Sequence, residues 1–205
     1  MASYGKLDSF KNSSITDFFF QYRTHLSELM GKLDTNAMEK VASVFLDARK
    51  NRSTIFFVGN GGSAATASHF AQDLAEVGRK ADCPSWKTLA LTDNVSFITA
   101  AANDYSYEKI FSIQMQELFQ KGDVLVCISA SGNSPNVVDA ARCAKEKGGT
   151  TVALVGFDGG KLALTCDHVL LAPTSKGEYG PVEDVHMILD HVLTSYLYFQ
   201  LKLKR

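Results

Sequence analysis

The sequence has no excess of either charge. Its 21 Lys and Arg stand against 22 Asp and Glu, for a formal net charge of −1, and no Lys/Arg run forms a stripe. A polyanion-binding surface is therefore excluded, and nucleic acid is not an expected partner. The terminal Lys202-Leu203-Lys204-Arg205 reads as a solvated helix end. Long apolar runs are also missing: nothing approaches the roughly 18 apolar residues of a membrane span. Phe18-Phe19-Phe20 is too short for a signal core and runs straight into Gln21-Tyr22-Arg23. Cysteine is sparse, and Cys83, Cys127, Cys143 and Cys166 form no CxxC pair. Reduced structural thiols are the expectation, in a cytoplasmic protein with no membrane partner. There is no internal repeat, no low-complexity segment and no interdomain linker. No helix-turn-helix segment precedes the domain, which argues against a sugar-responsive repressor.

What remains is an ordinary globular composition, 45% hydrophobic over 205 residues, enough for one domain with a real core. Short apolar β-rich runs alternate with helical stretches, which predicts an α/β fold with a parallel sheet covered on both faces. Strands are predicted at Thr54–Val58, Thr88–Leu91, Val124–Ile128, Thr150–Val155 and His168–Leu171. Helices are predicted over Ala64–Gly78, Asn94–Asn103, Tyr107–Gln120, Pro135–Lys147 and Pro181 to about Lys202. Before them lies a helical preamble, Ile15–Lys50, split near Lys32–Asn36. Its apolar residues Phe19, Tyr22, Leu26, Leu29, Met30 and Leu33 recur at helical spacing. The expected organisation is an N-terminal helical oligomerisation segment, residues 1–50, and a sheet domain, residues 51–205. The preamble is expected to pack on a partner subunit, with packing on its own core as the alternative.

Open parallel sheets bind ligands at the carboxyl ends of their strands, and two loops fall there. Gly59-Asn60-Gly61-Gly62-Ser63 leads a strand into a helix. Its glycines allow close backbone approach, and the helix start offers unpaired N–H groups to an anion. Ser129-Ala130-Ser131-Gly132-Asn133-Ser134 adds three hydroxyls and is followed by Pro135 at the first helical position. No Lys-Ser/Thr follows the glycines, so neither loop is a Walker loop, and Ala64 stands where GxGxxG needs its third glycine. Two hydroxyl-rich loops after two strands of one sheet point to a bound phosphate, with simple helix capping as the bland alternative.

These loops, with Asn103-Asp104 and Gly156-Phe157-Asp158-Gly159-Gly160 in the same order, resemble SIS (sugar isomerase) domains of the phosphoheptose isomerase type. The resemblance runs from about Ile55 to the last helix. It implies an open five-stranded parallel sheet flanked by helices with an N-terminal helical extension. It also implies a homotetramer with sites at subunit interfaces, and conversion of sedoheptulose 7-phosphate, or a related ketose phosphate, to the aldose. Such heptose serves lipopolysaccharide or capsule synthesis, and some members carry zinc. The implied substrate-binding residues are Asn60, Gly61, Gly62, Ser63, Asp104, Ser129, Ser131 and Ser134. Where the family has His and, four residues on, Glu, this chain has His69 and Asp73. Where it has Gln and, eight residues on, His, this chain has Glu183 and His191. An Arg shortly after the family's Glu falls on Val77, with Arg79 two residues further. The implied catalytic residues are Asp73, Glu183 and His191, and the implied metal ligands are His69, Asp73, Glu183 and His191.

Isomerisation through an enediol needs a base for a carbon-bound proton and an acid for the oxygen. An i, i+4 pair shares one helix face, so His69 and Asp73 can act together. Asp73 or Glu183 is the expected base and His191 the acid, with His69 holding metal or orienting the base. Two histidines and two carboxylates also suit a divalent cation that polarises the carbonyl. Asp is one methylene shorter than Glu, so Glu183 is a candidate to supply the reach that Asp73 lacks. A non-catalytic SIS protein that binds sugar phosphate or a protein partner, such as a replication initiator, is the alternative. Asp73 and His191 keep acid/base chemistry and favour the enzyme.

Overall fold

Five strands form one parallel sheet: Thr54–Gly59 (β1), Lys87–Ala90 (β2), Val124–Ser129 (β3), Thr150–Gly156 (β4) and His168–Ala172 (β5). Their order is β2-β1-β3-β4-β5 in the computed structural model, which describes residues 3–203. Met1, Ala2, Lys204 and Arg205 lie outside the described residues, and with them the last two positions of the expected solvated end. β1, β3 and β4 are buried along nearly their whole length and, apart from Thr54, Ser129, Thr150 and Thr151 near their ends, carry only apolar residues and glycine, because both their faces are covered. The edge strands β2 and β5 alternate with more exposed positions.

Helices cover both faces. Ile15–Met30 (α1), Thr35–Asn51 (α2), Gly62–Lys80 (α3), Val95–Asp104 (α4), Ser112–Leu118 (α5), Pro135–Glu146 (α6), Gly160–Thr165 (α7) and Tyr179–Leu203 (α8) follow in chain order. One core layer joins Phe45 of α2, Phe70 and Leu74 of α3 and Leu189 and Leu193 of α8 to Ile55, Phe57 and Val126 of the sheet. The other joins Phe111, Met115, Val137 and Leu162 to Phe56, Leu125 and Val155. Alternate residues of each strand thus feed opposite layers, as the pleat requires.

The preamble divides where expected, at a turn capped by Asp34, whose carboxylate accepts from the N–H groups of Asn36 and Ala37. α2 packs on its own sheet, with Val41 and Phe45 fully buried, so this part of the preamble follows the alternative rather than the partner-packing expectation. α1 buries Leu29 but leaves Phe19 60% exposed and Ile15 83% exposed. The predicted helix Tyr107–Gln120 is instead a 3-10 turn, Tyr107–Lys109, followed by α5. The break between them lets Ile110 and Phe111 both reach the core. α7 and a 3-10 turn at Gly5–Phe10 had no counterpart in the periodicity, being too short to show one.

The sheet order carries the functional consequence. From β1 the chain steps outward to β2, then returns across β1 to β3 and continues to β4 and β5. The reversal therefore lies between β1 and β3, which pair through Gly59 and Ile128 at their carboxyl ends. Both glycine- and serine-rich loops leave the sheet at this switch point, the crevice in which such folds hold ligands.

Candidate active site

The loop after β1 turns at Gly61, whose φ of +54° opens α3 in a conformation that suits glycine. A Cβ on Gly61 would meet nothing within 4 Å, so that face of the turn is open. The loop after β3 ends at Ser134, with Pro135 in the first turn of α6. Gly132, at φ +62°, lies so close to the Gly159 carbonyl that a Cβ would stand 2.0 Å from its oxygen. The side chains of Asn60 and Asn136 exchange reciprocal hydrogen bonds of 2.8 Å, and Tyr107 Oη donates to Asn60 Oδ1 at 3.0 Å. That network fixes the two loops to each other. Ser129 Oγ and Ser134 Oγ are 3.3 Å apart.

Between the loops lies a cavity of about 320 Å³. Asn60, Gly61, Gly62, Ser63, Ser129, Ser131 and Ser134 line it, joined by Tyr179 and Glu183 from the start of α8. Apart from Glu183 the lining offers hydroxyls, amides and the starts of α3 and α6, which is anion-binding chemistry without a cation. Burial, and secondarily Asp184, raise the Glu183 carboxyl above its ordinary value.

A second polar group lies further along α3 and α8. His69, Asp73, Asp190 and His191 each offer one ligand atom, and these atoms all lie within 4.8 Å of one another. His69 Nε2 is 3.3 Å from Asp73 Oδ2 and 3.9 Å from Asp190 Oδ2. His191 Nε2 is 3.2 Å from His69 Nε2 and 4.0 Å from Asp73 Oδ2. Asp190 is fully buried, and neither carboxylate oxygen has a hydrogen-bond partner among the described residues. Burial, helped by the nearby Asp73, pushes its pKa up to about 8. A buried, unpartnered carboxylate beside two imidazoles and another carboxylate is a donor set that fits zinc or another divalent cation. The histidines stay open to solvent: the side chains of His69 and His191 are 43% and 55% exposed.

α3 and α8 run side by side in one direction. Gly62 touches the Glu183 carboxylate, for a Cβ there would sit 2.5 Å from Oε2, and seven residues further on each helix His69 faces Asp190. The fold thus brings His69, Asp73 and His191 together, and gathers Asn60, Gly61, Gly62, Ser63, Ser129, Ser131 and Ser134 around the cavity. Glu183 does not join the histidine cluster. It stands about two helical turns back, at the loop cavity, because a seven-residue step along α8 separates it from Asp190. Asp190 takes the fourth place instead. Asp104 ends α4, exposed, where Asn103 Nδ2 donates to it at 2.8 Å, and it lines neither cavity nor cluster.

Sequence reasoning passed over Asp190 and Tyr179. Asp190 had a legible signal: it interrupts a stripe of buried α8 positions, Val182, His186, Leu189, Leu193 and Leu197, where an acid has no structural reason to be.

Known proteins resemble this chain in sequence and in fold. The family profile of the SIS domain matches residues 18–156. Phosphoheptose isomerase of Aliarcobacter butzleri is 35% identical over 182 residues, covering 88% of this chain and 94% of that protein. The corresponding protein of Geobacter sp. is 40% identical over 179 residues, covering 84% and 92%. The structure of phosphoheptose isomerase from Neisseria gonorrhoeae superposes with a TM-score of 0.80 at 33% identity, covering 89% of this chain and 96% of the other.

Proposed function

The chain belongs to the SIS domain family, and on that footing we propose that it is a sugar-phosphate isomerase converting sedoheptulose 7-phosphate to the aldose phosphate. The observation that carries this reading is the pairing, on two parallel helices, of an anion-holding loop cavity with a His/carboxylate cluster. Relatives over most of the chain's length bear the name phosphoheptose isomerase.

The phosphate sits in the loop cavity, bound by Ser129, Ser131, Ser134, Asn60 and the N–H groups that open α3 and α6. Among the described residues no Lys or Arg lines that cavity, so hydroxyl and backbone dipoles carry the recognition. The carbonyl end lies toward His69 and His191. Asp73 takes a proton from the carbon next to the carbonyl, and His191 delivers one to the carbonyl oxygen, giving an enediol. Return of a proton to the former carbonyl carbon, with loss of the proton from the hydroxyl on the carbon first deprotonated, completes the aldose. His69, 3.3 Å from Asp73, holds the carboxylate in place. Glu183, at the cavity, meets the phosphate-proximal part of the sugar rather than the reacting carbons. Asp104 reaches the substrate only if its helix end moves or if it serves a neighbouring subunit's site.

Zinc would be held by His69, Asp73, Asp190 and His191, and supplies polarisation of the carbonyl when bound. The protein acts in the cytoplasm, as a homotetramer, and its product feeds lipopolysaccharide or capsule heptose. Exposed Ile15, Phe19 and Phe20 on α1 and Tyr196 and Phe199 on α8 support the assembly. Incubation with sedoheptulose 7-phosphate in D₂O, followed by NMR with and without zinc, tests the reaction. Deuterium at the carbon next to the carbonyl, or aldose signals, is expected. No exchange over hours from folded, phosphate-binding protein rejects this substrate.

A further inference from the structure

Glu178 immediately precedes α8 and has no part in the chemistry above, yet its carboxylate is completely buried and collects donors from three separate segments. Oε1 accepts from the Lys6 N–H, and Oε2 accepts from the Ser175 N–H at 3.2 Å and lies 3.2 Å from His25 Nε2 on α1. The segment that supplies Lys6 lies across the loop before α8 at very short range. A Cβ on Gly177 (φ +99°) would stand 2.0 Å from the Ser3 carbonyl oxygen, and one on Gly5 (φ +61°) 2.6 Å from Glu178 Cγ. Two glycines, one from each side, therefore make the contact sterically feasible.

What this clasp holds is a wall of the loop cavity. The Glu178 carbonyl accepts from the Val182 N–H and so starts α8. The next residue, Tyr179, lines the cavity together with Glu183 one turn on, and its ring meets Phe157 edge-on at 5.2 Å. α1 adds a second hold on the same turn, where Tyr22 Oη donates to Asp184. We propose that Glu178 is a positioning residue: its buried carboxylate clasps the Ser3–Phe10 strap to the loop before α8 and thereby sets the Tyr179–Glu183 wall of the anion cavity. This rests on the reading that the cavity takes the phosphate of the sugar. The histidine cluster, two turns beyond Glu183 along α8, is not part of the clasp, so loosening the clasp weakens substrate capture and spares the chemical step.

Two substitutions on the full chain separate this from a general structural role. Glu178→Gln places an amide NH₂ against backbone donors. Gly177→Ala leaves the carboxylate untouched and pushes the strap away through its Cβ. Both are expected to raise KM for sedoheptulose 7-phosphate about tenfold with kcat within about twofold, as small misplacements of a binding wall do. Each should weaken inorganic phosphate binding by calorimetry to a similar degree and speed amide exchange at Lys6 and Ser175. Unchanged KM and phosphate affinity in a variant whose strap exchanges faster overturns the proposal, as does a fall in kcat matching the loss of folded protein. If Glu178→Gln does not fold, Gly177→Ala decides. Wild-type protein that binds phosphate without turning over the sugar rejects the reaction but leaves the clasp to be judged on phosphate affinity. Wild-type protein that binds no phosphate overturns both.

Discussion

Nε2 of His69 lies 3.2 Å from Nε2 of His191 across the α3–α8 interface, although 122 residues separate them in the chain. At that distance one ring carries a proton that the other accepts, or both turn their lone pairs to a shared cation. Either way the two imidazoles work as a unit.

His191→Ala is accordingly expected to reduce isomerisation by about a hundredfold or more, while unfolding in urea shifts by no more than about 0.5 kcal/mol, since the side chain is largely solvated. Parallel turnover and urea curves check this. A turnover loss under fivefold would remove His191 from the reaction.

The fourth position of the cluster distinguishes Asp190 from Glu183. Asp190→Asn should weaken zinc binding by about tenfold or more in competition with a chromogenic chelator. Glu183→Gln should leave zinc affinity within about twofold and tighten inorganic phosphate binding several-fold, because it removes a carboxylate from an anion cavity. The reverse pattern would return Glu183 to the metal site.

Gly132 and Gly61 both have positive φ but different surroundings. Gly132→Ala drives a methyl into the Gly159 carbonyl and is expected to cost about 3 kcal/mol, by overpacking and backbone strain together. Gly61→Ala meets no atom of the described residues within 4 Å, so its cost is backbone strain alone, about 1–3 kcal/mol, at a residue that lines the cavity. Denaturation curves should place Gly132→Ala as the less stable variant, and calorimetry should show Gly61→Ala losing phosphate affinity while folded.

His186 on α8 is entirely enclosed, and burial lowers its pKa to about 4 against a smaller upward pull from the Val155 backbone. The folded state therefore refuses a proton that the unfolded chain takes up below about pH 6.5. The contribution is fully present above that value and is lost as the pH falls toward 4, by about 3 kcal/mol in all. His186→Leu should flatten this part of the stability profile measured by urea titration between pH 7 and 4. An unaltered slope would place the acid sensitivity elsewhere.

Much of this architecture was legible in the residues. Continuous apolar runs such as Val124–Ile128 announce strands buried on both faces, and the two loops announce themselves by chemistry. The i, i+4 spacing of His69 and Asp73 put them on one face of α3 as expected. Periodicity gave no warning of α7, at six residues less than two turns long, nor of the break at Ile110–Phe111, where tertiary burial overrides helix continuation. The family resemblance groups Glu183 with His191, and the eight residues between them do keep both on one side of α8. Spacing along a helix says nothing about what stands opposite each turn, however, and the partner helix presents Gly62 to one and His69 to the other.

That parallel pairing of α3 and α8 works as a ruler. Seven residues on each helix separate the Gly62–Glu183 contact from the His69–Asp190 contact, a span of about 10 Å set by helical rise. A molecule that reaches from one station to the other must have a carbon chain of matching length. Exchanging side chains at either station alters the chemistry done there but leaves the graduation unchanged. Changing that graduation would require sliding one helix against the other, which would disturb Leu74, Leu189 and Leu193 in the core.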